Sequence, residues 1–568
     1  MISDFLDQTY VLAQARAQRD WLSALLDKAR AKTPAALAAL KKYEVTIEQI
    51  ETAIKALDSA LSSTAVAQPG ASTAFIPRDP YLCAFQTGMT RMADRHANTV
   101  SAPPAPVPAV SRGVSKKKPP VIDTSARRRL KRKSDAGAIG SERAITKAPF
   151  VEGDDIHYGL DGFKAKFGAL FAGRRKFNKN AAVAATSTKP LRLFLFGDWG
   201  TGLPLAEMVT AQIRKQLDAA DGQRQQHVVH LGDVYYVGGP DEYSERVIAS
   251  GMWPVANKEK NQIGSWSLNG NHDMYAGGHG YFDKLLREGR FLRWHRDPSG
   301  EPSSFFVIED ANWQFFGLDT SWNLPSLSHA LFGDPTLKDY GGQNGILTDG
   351  QVKWMAKTCD ASKGCVLLTH HQPASSRTSE AQHADEAVKL LKKYGVYGKV
   401  DAWLWGHEHR CVVFKPRAQR TTPRLVDAPE FCACIGHGGV PVTEKNFEAD
   451  KRIDDIEWEE DRLDASSPIY EGERILSFGF ARIDTAPNSL DVRFFDHTGS
   501  ERKKFTVMRP GAIVAPAAAR KAPARSVRGV ADRKSTKATK SPKPPVKSAK
   551  KPKTATKATP KAKSKKRP

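Results

Sequence analysis

Five short polar segments stand at the ends of apolar runs in this 568-residue chain, and nothing else in it restricts the fold as much. Leu191 to Phe196 leads into Gly197-Asp198-Trp199-Gly200, and Val228 to Leu231 into Gly232-Asp233-Val234-Tyr235-Tyr236. Ser265 to Leu268 precedes Gly270-Asn271-His272-Asp273, Cys365 to Leu368 precedes Thr369-His370-His371, and Ala402 to Trp405 precedes Gly406-His407-Glu408-His409. Short runs of aliphatic, β-branched and aromatic residues bounded by turn signals are strands of a buried sheet. The polar residues therefore fall where strands end, which is where open α/β sheets place their ligands.

The side chains at those ends are carboxylates, an amide, phenols and imidazoles. Such a set offers nitrogen and oxygen without thiolates, and suits hard-to-borderline cations. Two ions roughly 3.5–4 Å apart clamp a phosphoryl group and generate a nucleophile from water near neutral pH. One Gly-Asp pair is commonplace in turns, and a lone His is more often a core or surface residue than a ligand. Five such segments in a fixed order, each behind a strand, point instead to a two-metal hydrolase.

The constellation resembles the calcineurin-like metallophosphoesterase superfamily, and within it the purple acid phosphatases. Gly200 stands where most of that superfamily carries the His of an Asp-x-His motif, and Tyr236 follows Asp233 at the spacing by which purple acid phosphatases replace the missing ligand. The resemblance implies a four-layered α/β/β/α sandwich. It further implies one ion held by Asp198, Tyr236 and His409, a second held by Asn271, His370 and His407, and Asp233 bridging the two. A phenolate at Tyr236 would favour Fe(III) at the first position, with Fe(II), Zn or Mn at the second. His272 would face the substrate and stabilise a phosphoryl oxygen or protonate the leaving group, while a metal-bound hydroxide attacks phosphorus in line. In the fourth segment His370 follows the strand directly, whereas His371 also fits the family's His-x-Pro pattern through Pro373.

Weaker features lie nearby. Gly277-Gly278-His279-Gly280 could hold His279 over a substrate, or be a glycine-rich turn with a solvated His, and Gly436-His437-Gly438-Gly439 poses the same choice. Asp319, after Phe315 to Leu318, reads as a turn cap in preference to a ligand orienter. Trp199, Trp403 and Trp405 read as core.

Outside this region the composition changes. Residues 1–63 hold two helical patterns, about Asp4 to Lys32 and Ala35 to Leu61, which read as a helical hairpin. Residues 64–187 are rich in Ala, Pro and basic residues and read as a mostly disordered linker. The catalytic domain is expected over 188–510, closing with strands at Phe478 to Ile483, Leu490 to Phe495 and Lys504 to Val507, and 511–568 reads as a disordered basic tail.

The net charge of +24 is concentrated in the last two kinds of segment. Residues 511–568 carry 19 Lys or Arg against one acid, and residues 112–147 carry 12 against three, which leaves the rest slightly acidic. Either these segments are solvated appendages or they grip polyanions such as nucleic acid or polyphosphate, without sequence preference. The six cysteines form no Cys-x-x-Cys, and Cys365, Cys432 and Cys434 lie in apolar runs as buried thiols. Neither a signal peptide nor a transmembrane stretch is visible, so the expected location is the cytoplasm. Phosphomonoester hydrolysis is the expected activity. Hydrolysis of phosphodiesters in nucleotides or nucleic acid is the alternative on the same metal core. A polyanion-binding or scaffold protein with a secondary metal site is the alternative of another class, and the oligomeric state is left open.

Overall fold

The computed structural model describes residues 8–42, 45–63, 82, 83, 86 and 175–509, apart from 220–221, 250, 324–344, 379–382, 445–446, 448–450, 464–466 and 471–472. The basic segments at 112–147 and 511–568 lie outside the described residues, as does most of 64–187.

Strand β2 (Leu191–Phe196) shows how the layers arise. Leu191, Leu193 and Leu195 join a core that also contains Phe306, Phe315, Val366, Leu404 and Ala433, whereas Phe194 and Phe196 join a second core with Val209 and Ile213 of a helix. Alternate side chains thus face the opposite sheet and the helix layer, so both faces are apolar and the strand reads as an unbroken hydrophobic run. The same alternation divides β7 (Gly364–Leu368), β8 (Ala402–Trp405) and β10 (Phe431–Ile435). Val366, Ala402 and Ala433 face the other sheet, while Leu367, Trp403 and Cys432 face the outer helices.

The two sheets are mixed. In the six-stranded sheet β2 lies parallel to β3 (Gln225–His230), and β3 to β4 (Gly264–Ser267). The hairpin strands β14 (Gly479–Ala486), β15 (Ser489–Asp496) and β16 (Glu501–Met508) extend its other side. The eight-stranded sheet runs β1 (Ala185–Thr186), β5 (Phe306–Glu309), β6 (Trp313–Gly317), β7, β8, β10, β9 (Cys411–Phe414) and β11 (Ile456–Glu459), with β6, β7, β8 and β10 parallel. With helices outside both sheets, the fold is an α/β/β/α sandwich. All five polar segments leave the C-terminal ends of β2, β3, β4, β7 and β8.

The N-terminal region forms three helices, α1 (Gln8–Arg30), α2 (Pro34–Lys42) and α3 (Ile47–Ser63), where the periodicity predicts two. The second pattern breaks because Thr46 and Gln49 cap each other. The Gln49 N–H donates to Thr46 Oγ1 (3.1 Å) and the Thr46 N–H to Gln49 Oε1 (3.0 Å), which starts a new helix. Ion pairs Arg19–Asp58 and Arg30–Glu51 occur in opposite order along α1 and α3, so these two run antiparallel. No helix among the described residues is long and apolar enough to cross a membrane. All six cysteines are free thiols, with Cys365, Cys432 and Cys434 buried.

Candidate metal centre

Among the described residues, five non-glycine residues have a positive φ, and four of them are Asp198 (55°), Asp233 (73°), His407 (71°) and His409 (54°). That conformation is costly for an L-residue and persists where the surrounding structure enforces it. Here the sheet ends abruptly and the chain turns back, aiming these side chains at one another. Neighbouring glycines allow the close approach. A Cβ on Gly270 would stand 2.0 Å from Asp233 Oδ1, and one on Gly232, itself at φ +103°, would stand 2.7 Å from His370 Nδ1.

Asp198 and Asp233 are fully buried. Asp198 accepts the backbone N–H of His407 (2.7 Å), and its other oxygen lies 3.6 Å from His409 Nε2. Asp233 Oδ1 accepts the backbone N–H of His272 (3.0 Å), while its Oδ2 lies 3.3 Å from His370 Nε2. His370 gives its Nδ1–H to the Leu231 carbonyl (2.9 Å), turning Nε2 toward Asn271 Oδ1 (3.0 Å) and His407 Nδ1 (3.2 Å). His371 is oriented by Thr320 Oγ1 at Nδ1 (2.8 Å), and its buried Nε2 has no hydrogen-bond partner among the described residues. Donor atoms of Asp198, Asp233 and His370 lie within 4.8 Å of one another, as do those of His370, His371 and His407.

Burial and the mutual effects of carboxylates and imidazoles set the electrostatics of this cluster. Burial pushes Asp198 up to about 8, with Asp233 adding to the shift against the pull of His370. Burial also opposes ionisation of Asp233, but His370, His272 and His407 hold it below the usual carboxylate range. His370 rises to about 9, because Asp233 and Asp198 outweigh its own burial. Burial and the neighbouring His370 push His371 well down, and burial with His371 and His370 does the same to His407. Two carboxylates this close are not both comfortable as anions without positive charge, and divalent or trivalent ions supply it. The donor set, the outward-fixed imidazoles and the open Nε2 of His371 fit metal ions.

The two tyrosines are placed differently from the spacing argument. Tyr235, one residue before the expected ligand, directs its hydroxyl at Asp198 Oδ1 (3.0 Å), Asp233 Oδ2 (3.3 Å) and His409 Nε2 (2.9 Å). Tyr236 is buried in the core shared with the N-terminal helices, with the Arg246 guanidinium 5.6 Å over its ring. Its carbonyl takes the Nδ1–H of His272 (2.7 Å). The Tyr235 hydroxyl thus meets the two carboxylates and His409, while Tyr236, the expected ligand, meets Arg246 through its ring and His272 through its carbonyl. A shift of one residue decides which hydroxyl meets the carboxylates, and ligand spacing alone carries no signal for that.

His272 is brought to the cluster by its backbone, with its ring between Tyr235 and Tyr275 at centroid distances of 4.6 and 4.8 Å. His279 is not drawn into the cluster of donor atoms. Its Nδ1 meets Asp283 (2.8 Å), which also pairs with Arg175. His437 is buried, and burial pushes it down to about 3. Asp319 caps its own turn through the N–H groups of Ser321 and Trp322. Asp273 escaped the sequence reading although it stands in the third motif. Its carboxylate accepts the N–H groups of Asp233, Val234 and Gly270, tying the second and third loops together.

Compared with known proteins, residues 191–411 match the family model described as calcineurin-like phosphoesterase. No curated protein matches the sequence. Among solved structures, the chain is similar to GAP50, the anchor in the inner membrane complex of Plasmodium, at 13% identity over 56% of this chain and 89% of that one, with a TM-score of 0.36. A dimetal phosphatase from Danio rerio is similar at 14% identity over 56% and 99%, with a TM-score of 0.35. Vps29 from Chaetomium thermophilum is similar at 12% identity over 57% and 100%, with a TM-score of 0.22.

Proposed function

We propose, from the match of residues 191–411 to the calcineurin-like phosphoesterase family model, that the chain hydrolyses phosphate monoesters at a dinuclear centre of the purple acid phosphatase kind. The observation that carries this reading is the convergence of buried Asp198, Asp233, Asn271, His370 and His371 with half-buried His407 at the ends of five strands. A phenol hydroxyl, that of Tyr235, is aimed at the first two.

In this reading Asp198, Tyr235 and His409 would hold the first ion, Asn271, His370 and His407 would hold the second, and Asp233 would serve both. His371 stands beside them as the remaining candidate ligand. When bound, the ions would offset phosphoryl charge and lower the pKa of a water molecule. A phenolate would favour Fe(III) at the first position, with Fe(II), Zn or Mn at the second. Burial and the neighbouring carboxylates push Tyr235 well above the ordinary phenol range, so its ionisation requires the cation.

The chain's own groups do the positioning. The Leu231 carbonyl and the Thr320 hydroxyl fix the rings of His370 and His371, a role that second-sphere partners commonly play. His272 is tethered through Nδ1 to the Tyr236 carbonyl, and burial favours its neutral form; donation from Nε2 to a phosphoryl oxygen or the leaving group therefore requires the imidazolium, which the negative charge of a bound phosphoryl group would favour.

The 19 basic residues of 511–568 favour a second reading, in which the substrate or partner is a polyanion such as nucleic acid or polyphosphate. Metal analysis combined with turnover of a panel of monoesters and diesters tests both. Turnover of diesters alone would replace the monoesterase reading.

A further inference from the structure

One hydrophobic cluster joins parts of the chain that the sequence keeps far apart. Leu22, Leu25, Ile50 and Leu57 of α1 and α3 share it with Leu82 and Cys83, and with Tyr235, Tyr236, Val237, Tyr275 and Ala276 from the loops that carry the metal centre. Leu203 and Val440, from the loops after β2 and β10, belong to it as well. The N-terminal helices therefore do not pack on the back of the sandwich. They pack on the functional loops.

Cys83 reaches furthest, with its Sγ 4.0 Å from His272 Nδ1. Leu82 and Cys83 are fully buried, and His272 is 5% exposed. On the other side the centre is open, because the side chain of His409 retains 26% of its exposure. The enclosure is thus one-sided, closed at His272 and open at the His407 to His409 segment.

We propose that Leu82, Cys83 and the N-terminal helices form a wall that closes the His272 side of the centre and limits the size of the group leaving from phosphorus. The proposal rests on the phosphoesterase reading for its effect on selectivity, while the wall itself stands on packing alone. Each substrate atom beyond the phosphoryl group must fit between this wall and the open side. One or two methylene groups of room in such a pocket change discrimination by about 10- to 200-fold. Cys83 acts here as a specificity-determining side chain, without contact to the reacting atoms.

The test uses the full-length, metal-loaded protein and two independent readouts. In the first, diethyl pyrocarbonate labels histidines and mass spectrometry compares His272 with the half-exposed His279. Labelling of His272 in the wild type is expected to be slower by about tenfold or more, since it requires local opening. The Leu82→Ala/Cys83→Ala double variant and, separately, Ile50→Asp in α3 are expected to remove that protection with metal content unchanged. In the second readout, the ratio of kcat/KM for a phosphotyrosyl peptide to that for para-nitrophenyl phosphate is expected to rise about tenfold in the double variant. Wild-type His272 labelling as fast as His279 overturns the wall, whatever the activity. Protection that persists in both variants with an unchanged substrate ratio also overturns it, because the sandwich alone would then enclose His272. If labelling behaves as expected but no ester is turned over by any form, the wall stands and the phosphoesterase reading fails.

Discussion

The hydroxyl of Tyr235 lies 3.0 Å from Asp198 Oδ1, and the ring of Tyr236 is buried in the core beneath the N-terminal helices. Both rings belong to the core under α1 and α3, and it is the Tyr235 hydroxyl that meets the carboxylates. Tyr235→Phe should lower metal content at the first position, and if that ion is ferric it should bleach the visible phenolate band of the purified protein. Tyr236→Phe should retain metal and colour. The reverse pattern in metal analysis and absorbance would return the ligand role to Tyr236.

His370 and His371 both turn a ring nitrogen into the cluster, but His370 is closer to the carboxylates. Its Nε2 is 3.3 Å from Asp233 Oδ2, and its other nitrogen is fixed by a backbone carbonyl. His370→Ala should therefore weaken metal binding by at least about 100-fold, and Thr320→Val, which frees the ring of His371, by about 10-fold. Competition with a chelator measures both. An unchanged affinity in His370→Ala, with a large loss in His371→Ala, would move the ligand to His371.

Acid should destabilise the sandwich, whatever the pH preference of its chemistry. Burial pushes His227 down to about 3, and pushes His295 down to about 4 against the hydrogen bond its Nδ1–H donates to the Ser303 carbonyl. Unfolded, both would titrate near about 6.5. Because the folded values lie lower, their contribution is complete above about 6.5 and is lost as pH falls toward 3–4, at about 1.4 kcal/mol per pH unit for each group. The melting temperature should drop between pH 7 and pH 5, with a shallower drop in His227→Gln. A flat profile would contradict this.

Deleting residues 511–568 should leave turnover of a small phosphate ester within about twofold, since the ligands proposed here all lie between 198 and 409. If the basic segment grips polyanions, the same deletion should weaken binding to DNA, RNA or polyphosphate and flatten its salt dependence. Full-length protein that binds none of these at low salt would make the segment a solvated appendage.

The five motif-bearing strands were legible because both of their faces are buried, which makes Leu191 to Phe196 or Ala402 to Trp405 plain as continuous apolar runs. The polar residues at their ends were legible for the same reason. The choice between Tyr235 and Tyr236 was not, since both rings are buried and only the folded loop after β3 sets which hydroxyl meets the carboxylates. The break between α2 and α3 was present in the sequence as Thr46-Ile47-Glu48-Gln49, a capping box overridden by the longer hydrophobic period. Asp273 was hidden by its own motif. Its carboxylate binds backbone N–H groups instead of a ligand, and residue type does not distinguish the two.

The central claim is that these side chains hold two metal ions for phosphoester hydrolysis, and Asp233 is where it is most exposed to test. Metal content and ester turnover should be measured together in wild type and Asp233→Asn after loading with iron, zinc or manganese. About two ions per chain are expected in the wild type, and the variant should lose most of its metal and at least about 100-fold in kcat. A wild-type chain that takes up no metal, or an Asp233→Asn chain that keeps both ions and full turnover, would contradict the account.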